Sequence, residues 1–367
     1  MRILIVKRDK LGDLLLARPV ISRLAAAVPE AEIHLLANDY NAWVARDHPA
    51  LARTWAFARV RNGGRFDLRA VARQVPLHFA LRRERFDWAI VMGGDESHRA
   101  IRRALATRAT RVIAYAQEPA RYGPRLTDPL PPPSEGHETA RMLALCAPLG
   151  VRGDVVEAPD FAVDAGVAAF ATQWLAAQEL TPRRYVVIGL GARRAKKQPT
   201  PSQVAAWSTR ILRERGLPTV LMWTPGTAAN AAYPGDDALA QAVLDRGLAH
   251  LHPFRGPIRE ALGLIYAART SIIPDSGLMH FAAASEGGVL GLFADPQDSA
   301  PASRWAPLGE RARHIEAPKR VADLADDEVF RVLDPLLDAP VSAATPPTPS
   351  AAAGDTGTDS ASGRCTS

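Results

Sequence analysis

Two loops in the second half of the sequence contain residue types that can hold a phosphorylated ligand. The first is Asp275-Ser276-Gly277, which follows a β-branched run ended by Pro274 and precedes an apolar helix pattern from Leu278. Unpaired N–H groups at the start of such a helix attract phosphate, and a carboxylate accepts hydrogen bonds from sugar hydroxyls. The glycine lets a ligand approach the backbone. An Asx turn with a helix N-cap would give the same pattern, so this loop alone leaves both interpretations open.

The second loop, at residues 191–199, carries four cations just before a helix start. They are Arg193, Arg194, Lys196 and Lys197. If this loop lies at the same sheet edge as Asp275, Lys196 or Lys197 would neutralise the charge that develops on a departing diphosphate. A solvent-exposed basic loop is the alternative. The presence of the Asp275 loop favours the anion site.

A third loop, near the N-terminus, contains a candidate general base. Asp13 follows Gly12 at the end of the loop after the first predicted strand. A carboxylate there would take the proton from an acceptor hydroxyl, an effect typically worth ~10²–10⁴ in rate. An acidic residue stabilised by the dipole of its own helix is the alternative. Lys7 would either hold Asp13 ionised or bind a negative group of the acceptor.

These loops must be positioned by strands that alternate with helices along the chain. The predicted strands are residues 2–6, 33–36, 88–92, 112–115, 185–191, 219–223, 272–273 and 289–293. Strands separated by helices pair in parallel through right-handed crossovers, which predicts an α/β fold with doubly wound sheets. The alternation becomes irregular near residues 154–180 and then restarts. We therefore predict one Rossmann-like domain at 1–160, a second at 161–338, and a disordered Ala/Pro/Ser/Thr tail at 339–367.

Charge is distributed unevenly between the two halves of the 367-residue chain. The net charge of +6 combines +9 in residues 1–150 with −3 in the remainder. A basic half facing a cleft would attract an anionic acceptor or an anionic membrane surface, although a solvated arginine-rich surface gives the same count. The arginines are scattered and are not interleaved with aromatic residues, so we predict no nucleic-acid partner.

Several functional classes are disfavoured by what the sequence lacks. No apolar run reaches the roughly 18 residues of a membrane span or resembles a signal sequence, so we expect a cytoplasmic protein. The two cysteines have neither disulfide nor metal spacing, and there is no Walker loop or Gly-x-Ser-x-Gly motif. Gly189-Leu190-Gly191 is a fragment of a dinucleotide fingerprint with Arg194 in place of the third glycine. A nicotinamide-dependent oxidoreductase is therefore disfavoured but remains an alternative.

Taken together, these motifs resemble those of family 9 glycosyltransferases, the lipopolysaccharide heptosyltransferases. Lys7 with Leu11-Gly12-Asp13 resembles their N-terminal signature. Lys196 matches the lysine of their Lys-x-Trp-Pro motif, and the stretch from Asp275 to His280 matches their Asp-Ser/Thr-Gly-x-x-His motif. His137-Glu138 with residues 143–150, and Arg304 with residues 305–309, resemble two further family segments. The resemblance covers about residues 1–335 in the family's order.

The resemblance implies a GT-B fold, with two Rossmann-like domains and the site between them. It implies inverting transfer of a sugar, usually heptose from ADP-heptose, with no metal and no cofactor. The acceptor would be an anionic glycolipid such as a lipopolysaccharide core, which would bring the protein into peripheral contact with the inner membrane. A family member that binds a sugar nucleotide without productive transfer is the alternative.

The family motifs also assign roles to individual residues. By this correspondence Asp13 is the general base and Lys196 steadies the diphosphate, with Lys197 as the alternative cation. The donor site would be lined by Asp275, Ser276, Gly277 and His280, and the acceptor side would include Lys7 and Gly12. Residues 223–226 and 234–237 are candidate donor loops. The sequence departs from the family pattern at Gln198, where tryptophan is usual, and at Ala294-Asp295, where Gly-Pro-Thr is common.

Overall fold

The chain folds into two halves that each contain a six-stranded parallel sheet. The computed structural model describes residues 1–59, 61–62, 65–66, 68–153, 157–229, 234–297 and 301–340. The predicted tail at 339–367 therefore lies almost entirely outside the described residues. None of the described helices is long and apolar enough to cross a bilayer.

The first sheet has the spatial order β3-β2-β1-β6-β7-β8, and every neighbouring pair is parallel. Its strands are β1 (Arg2–Val6), β2 (Glu32–Asn38), β3 (Arg53–Phe57), β6 (Trp88–Val91), β7 (Arg111–Tyr115) and β8 (Asp128–Leu130). Two further short strands, β4 (Arg61–Asn62) and β5 (Arg65–Phe66), form a separate antiparallel pair. Helices described in this half are α1 (Leu11–Leu15), α2 (Arg18–Ala27), α3 (Leu68–Arg83), α4 (His98–Thr107) and α5 (Glu138–Ala144).

The second sheet repeats the same order as β11-β10-β9-β12-β13-β14, again with all neighbours parallel. Its strands are β9 (Val186–Gly189), β10 (Thr219–Met222), β11 (Leu251–Phe254), β12 (Thr270–Pro274), β13 (Val289–Phe293) and β14 (Ala312–Glu316). Described helices of this half are α6 (Ala165–Ala177), α7 (Pro201–Arg215), α8 (Asp237–Leu244), α9 (Ile258–Ala267), α10 (Gly277–Ala283), α11 (Ala302–Trp305) and α12 (Asp326–Asp338). The predicted α/β class with two Rossmann-like sheets is confirmed.

Alternate residues of the central strands enter different hydrophobic cores. In β1, Ile3 and Ile5 belong to a core that continues into the second half, whereas Leu4 and Val6 belong to a core confined to the first half. Strands buried on both faces carry continuous apolar runs, as the sequence predicted. The shared core includes Phe281, whose ring stacks on Trp43 from the first half at 6.1 Å between centroids. The two halves are thus joined by apolar packing behind the site.

Proline and sheet-edge position explain where the elements depart from a simple pattern. Two helices, α1 and α2, follow the first loop, because Pro19 in the first turn of α2 has no N–H to continue from α1. The four edge strands β3, β8, β11 and β14 were not predicted. Two of them contain a proline, Pro129 in β8 and Pro253 in β11, and a missing ladder donor is tolerated at a sheet edge.

Candidate active site

The strands β1, β9, β10 and β12 end at one cleft between the halves. A cavity of about 710 Å³ lies there, which is within the size range of ligand-binding sites. The first half contributes residues 8–12 and Tyr40 to its walls. The second half contributes Gly191, Trp223 and Ser276-Gly277. The predicted loops therefore share one cleft.

The halves approach most closely where α1 faces α10. A Cβ built on Gly12 would lie 2.8 Å from the Cα of Gly277, and one built on Gly277 would lie 3.2 Å from the backbone nitrogen of Gly12. Side chains at these positions would separate the two backbones. The two glycines that the sequence assigned to opposite sides of the site therefore set the distance between its walls.

Asp13 lies half-buried in the first turn of α1. Its Oδ2 accepts a hydrogen bond from the backbone N–H of Lys10 at 2.9 Å, and its position in the first turn is that of the dipole-stabilised acid considered from sequence. Oδ1 receives no hydrogen bond from any of the described residues and is left for another donor. Burial raises the pKa of the Asp13 carboxyl above its ordinary value, and the nearby positive charge of Lys7 opposes this rise.

Lys7 is a buried ammonium that follows β1 and forms an ion pair with one carboxylate. Its Nζ lies 3.0 Å from Oδ2 of Asp9, and the side chain is fully enclosed. Burial alone would lower the pKa of Lys7, but the charges of Asp9, Asp13 and Glu138 outweigh burial and raise it. Lys7 therefore acts as a fixed positive charge next to Asp13 and does not reach into the cleft as a free acceptor ligand.

Lys10 links the two halves electrostatically, and sequence analysis did not single it out. Burial lowers the pKa of Lys10, and two second-half cations, Arg193 and Lys197, act in the same direction. Asp13 and Asp275 act against this shift. Lys10, which lines the cavity, therefore lies within electrostatic range of one acid from each half.

Lys196 and Lys197 point to different places although they are adjacent in the chain. The Nζ of Lys197 forms an ion pair with Asp275, and both side chains are largely enclosed. The Nζ of Lys196 donates to the carbonyl oxygens of Asp295, at 3.0 Å, and Gln297. The short helical turn of residues 195–197 sends consecutive side chains in different directions. The family motif indicated Lys196 as the cation at the donor site, whereas Lys197 is the one at Asp275.

Two polar atoms beside Asp275 are buried without partners. Ser276 Oγ and His280 Nδ1 have no hydrogen bond to any of the described residues. Burial lowers the pKa of His280 to about 3, with a smaller contribution from His137, so its ring is neutral at pH 7. Such orphaned atoms are costly unless a bound ligand or water satisfies them. The Ser276 side chain is in the cavity wall.

Two acidic residues join the candidate donor loops of the second half. Asp237 accepts from Trp223 Nε1 at 2.8 Å, and Asp236 accepts from the backbone N–H of Thr224 at 3.2 Å. Gln198, where the family usually has tryptophan, donates to Asp236 at 2.5 Å. Burial raises the pKa of Asp236. Gln198 thus connects the basic loop to the loops that form the cavity wall.

The segments around Glu138 and Arg304 meet across the domain boundary. Glu138 is buried and accepts two hydrogen bonds from the Arg304 guanidinium, at 2.9 and 2.7 Å. It also accepts one from the backbone N–H of Gly94 at 2.8 Å. His137 Nε2 donates to the carbonyl of Ala306 at 2.9 Å. Both guanidinium donors converge on Oε2 of Glu138, and such charge-assisted hydrogen bonds hold the two halves together at this point.

Several solved structures have the same fold as this chain. The glycosyl transferase family 9 structure from Veillonella parvula DSM 2008 aligns with a TM-score of 0.74 at 15% identity, over 92% of this chain and 97% of that one. Escherichia coli ADP-heptose lps heptosyltransferase II aligns at 0.69 and 20% identity, over 92% and 98%. Escherichia coli heptosyltransferase WaaC with ADP aligns at 0.69 and 18% identity, over 92% and 100%. The chain has the fold of these structures, the GT-B fold.

The family model described as glycosyltransferase family 9 (heptosyltransferase) matches residues 76–326, well over half of the chain. The chain belongs to this family, as its motifs predicted. No match was found among curated proteins. Because the chain belongs to a glycosyltransferase family, the alternative of a nicotinamide-dependent oxidoreductase is dropped. Among the described residues no cluster of His, Cys, Asp or Glu is arranged to hold a metal ion, and metal-independent transfer stays a prediction.

The close approach of the two glycines gives a stability prediction. Gly12→Ala should lower the free energy of unfolding by about 1–3 kcal/mol, because its Cβ would overpack against the Gly277 backbone. Gly93→Ala is the matched control, since a Cβ there meets its nearest atom at an ordinary 3.7 Å. Urea unfolding of both variants measures the difference. Equal stability of the two variants would show that the contact does not constrain the halves.

Proposed function

We propose that this protein transfers a heptose from ADP-heptose, with inversion, to a hydroxyl of an anionic glycolipid acceptor such as a lipopolysaccharide core. One observation carries the proposal: the loops before Asp13 and after Asp275, from opposite halves, line one cleft of about 710 Å³, and Lys10 in that cleft is influenced by both carboxylates. Membership of a heptosyltransferase family supports the sugar, and the two aligned Escherichia coli heptosyltransferases, one solved with ADP, support the nucleotide. We place the reaction in the cytoplasm, without a metal or cofactor.

The proposed reaction needs a base on one wall of the cleft and cations on the other. The acceptor hydroxyl gives its proton to Asp13 as its oxygen bonds to the anomeric carbon. The bond from that carbon to the β-phosphate oxygen breaks, and ADP leaves from the opposite face with the bonding electrons. Lys197 and Arg193, with Lys10 from the first half, are placed to offset the charge of the leaving diphosphate.

The environment of Asp13 suits a general base. A carboxylate of ordinary pKa is a weak base at neutral pH, and burial makes Asp13 a stronger one. Lys7 limits this rise, so that the carboxylate can remain ionised between turnovers. Lys7 is therefore a positioning residue, which acts on the reaction through Asp13.

On the donor side, Lys197 replaces Lys196 as the proposed diphosphate cation. Without a donor, Lys197 is paired with Asp275. When the donor is present, we propose that the ammonium turns to the phosphates and frees the Asp275 carboxylate for sugar hydroxyls. Ser276 and His280 would then satisfy their unpaired atoms on the same ligand. Lys196 instead supports the backbone at Asp295 and Gln297.

Removal of the proposed base tests the transferase assignment. Asp13→Asn should reduce kcat by roughly 10²–10⁴, because the amide cannot take the proton. The dissociation constant for ADP, measured by calorimetry, should change little, since the side chain serves the acceptor. Wild-type turnover in Asp13→Asn would rule out Asp13 as the base. An active site that binds ADP-heptose in the wild type but never transfers it would favour the binding-only alternative.

The pH dependence of kcat tests the role of Lys7. Activity should fall as the pH drops through the pKa of Asp13, and burial places this acid limb above the range of an ordinary aspartate. Lys7→Met removes the charge that lowers this pKa, so the acid limb should move to still higher pH. Lys319→Met, an exposed lysine far along the chain, is the control and should leave the profile unchanged. An unmoved limb in a folded Lys7→Met variant contradicts the proposed coupling.

A pair of neighbouring lysines allows a matched test of the donor site. Lys197→Ala should weaken ADP binding by roughly one to two orders of magnitude, the value of a lost charge-assisted hydrogen bond. Lys196→Ala should have a much smaller effect, because its ammonium binds backbone carbonyls. Isothermal titration of both variants with ADP gives the comparison. A larger loss in Lys196→Ala would return the role to the lysine that the family motif indicates.

A further inference from the structure

Helix α3 has an apolar face directed at solvent in addition to the one that packs on the protein. Its inner face buries Ala70 and Leu81. The outer face carries four of the eight large apolar side chains that are exposed among the described residues, namely Leu68, Val71, Val75 and Phe79. At 3.6 residues per turn these four lie within an arc of roughly 80° and extend about 16 Å along the helix. An apolar stripe of this kind indicates a surface that is covered in use.

The charged residues within α3 and α4 have one sign. Helix α3 contains four arginines and the adjacent α4 contains three, and neither helix contains an aspartate or glutamate. Arg73 and Arg83 on α3 are exposed, as are Arg99 and Arg102 on α4. Lipid-facing amphipathic helices combine these two features, because the apolar side chains enter the acyl boundary while arginines reach anionic headgroups.

The stripe is also close in sequence to a residue that lines the cleft. Arg59 lines the cavity, and the chain passes from it through the β4–β5 pair directly into α3. A surface that holds α3 against a bilayer would bring the first half, which we assign to the acceptor, close to lipid headgroups. An acceptor anchored in that bilayer would then reach the cleft without leaving the membrane.

We propose that the outer faces of α3 and α4 are a docking surface for an anionic lipid bilayer. A second copy of the chain is a poorer occupant, because a symmetric contact would bring the arginines of both copies together. The link between docking and acceptor delivery rests on the proposed function, whereas lipid binding itself does not. The two can therefore fail separately.

Co-sedimentation of the full chain with vesicles tests the surface. Vesicles of phosphatidylglycerol and phosphatidylethanolamine should bind the protein, and phosphatidylcholine vesicles should bind it at least tenfold more weakly. The double substitution Val75→Asp and Phe79→Asp should reduce binding to the anionic vesicles at least tenfold. Leu212→Asp, at an exposed leucine on α7 in the other half, is the matched control and should bind as the wild type does.

A second variant tests the contribution of the arginines and leaves the apolar stripe unchanged. Arg83→Gln with Arg102→Gln should weaken binding to the anionic vesicles and flatten its dependence on salt. Equal binding by wild type and both double variants overturns the inference. So does light scattering that shows a wild-type dimer converted to monomer by Val75→Asp and Phe79→Asp, because the stripe would then be a protein contact.

Transfer to a water-soluble, delipidated acceptor separates this inference from the proposed function. The Val75→Asp and Phe79→Asp variant should retain wild-type kcat on that acceptor, because the cleft is unchanged. Vesicle binding by a wild type that transfers no heptose would support the surface and contradict the proposed function. Heptose transfer by a wild type that does not bind anionic vesicles would support the proposed function and contradict the docking surface.

Discussion

The site depends on the contact between two backbones that carry no side chains where they meet. Gly12 directly precedes the proposed base Asp13 on one wall, and Gly277 begins helix α10 on the opposite wall. A methyl group on either glycine would meet the other backbone. Apolar packing of Trp43 on Phe281 behind this contact holds the halves together. Both walls are ends of parallel strands, which is where open α/β sheets bind ligands. One short contact thus turns two separate strand-end sites into a single cleft.

Bringing these walls together concentrates charge that must be balanced. Lys7 is enclosed beside Asp9, Asp13 and Glu138, and a buried charge of this kind is tolerated only when it is paired. The same Glu138 receives two hydrogen bonds from Arg304 of the second half. Separation of the halves would remove Arg304 from Glu138 and leave that carboxylate with the Gly94 N–H and the nearby charge of Lys7. The electrostatic environment of the base therefore depends on closure, although the base and Arg304 do not touch.

The sequence was sufficient for the fold because the central strands are buried on both faces. Continuous apolar runs such as residues 2–6 and 289–293 have few other structures available, and their alternation with helices required parallel sheets. The sequence was insufficient to predict the strands at the edges of the sheets. Pro129 and Pro253 argue against a strand locally, yet an edge strand needs ladder donors on one side only. Whether a segment lies at an edge is decided by the rest of the sheet, which local pattern does not contain.

The same difference between local pattern and tertiary context explains which parts of the site could be predicted. Strand-end position is a property of sequence order, so the basic loop could be predicted beside Asp275, and Asp13 across the cleft from them, before the structure was known. The direction in which a side chain points is not a property of sequence order. Lys196 and Lys197 are equivalent in charge and neighbours in the chain, and only the turn that contains them decides which one faces Asp275. A motif transfers the position of a loop reliably, whereas the identity of the contacting residue follows from backbone geometry that a single departure such as Gln198 can alter.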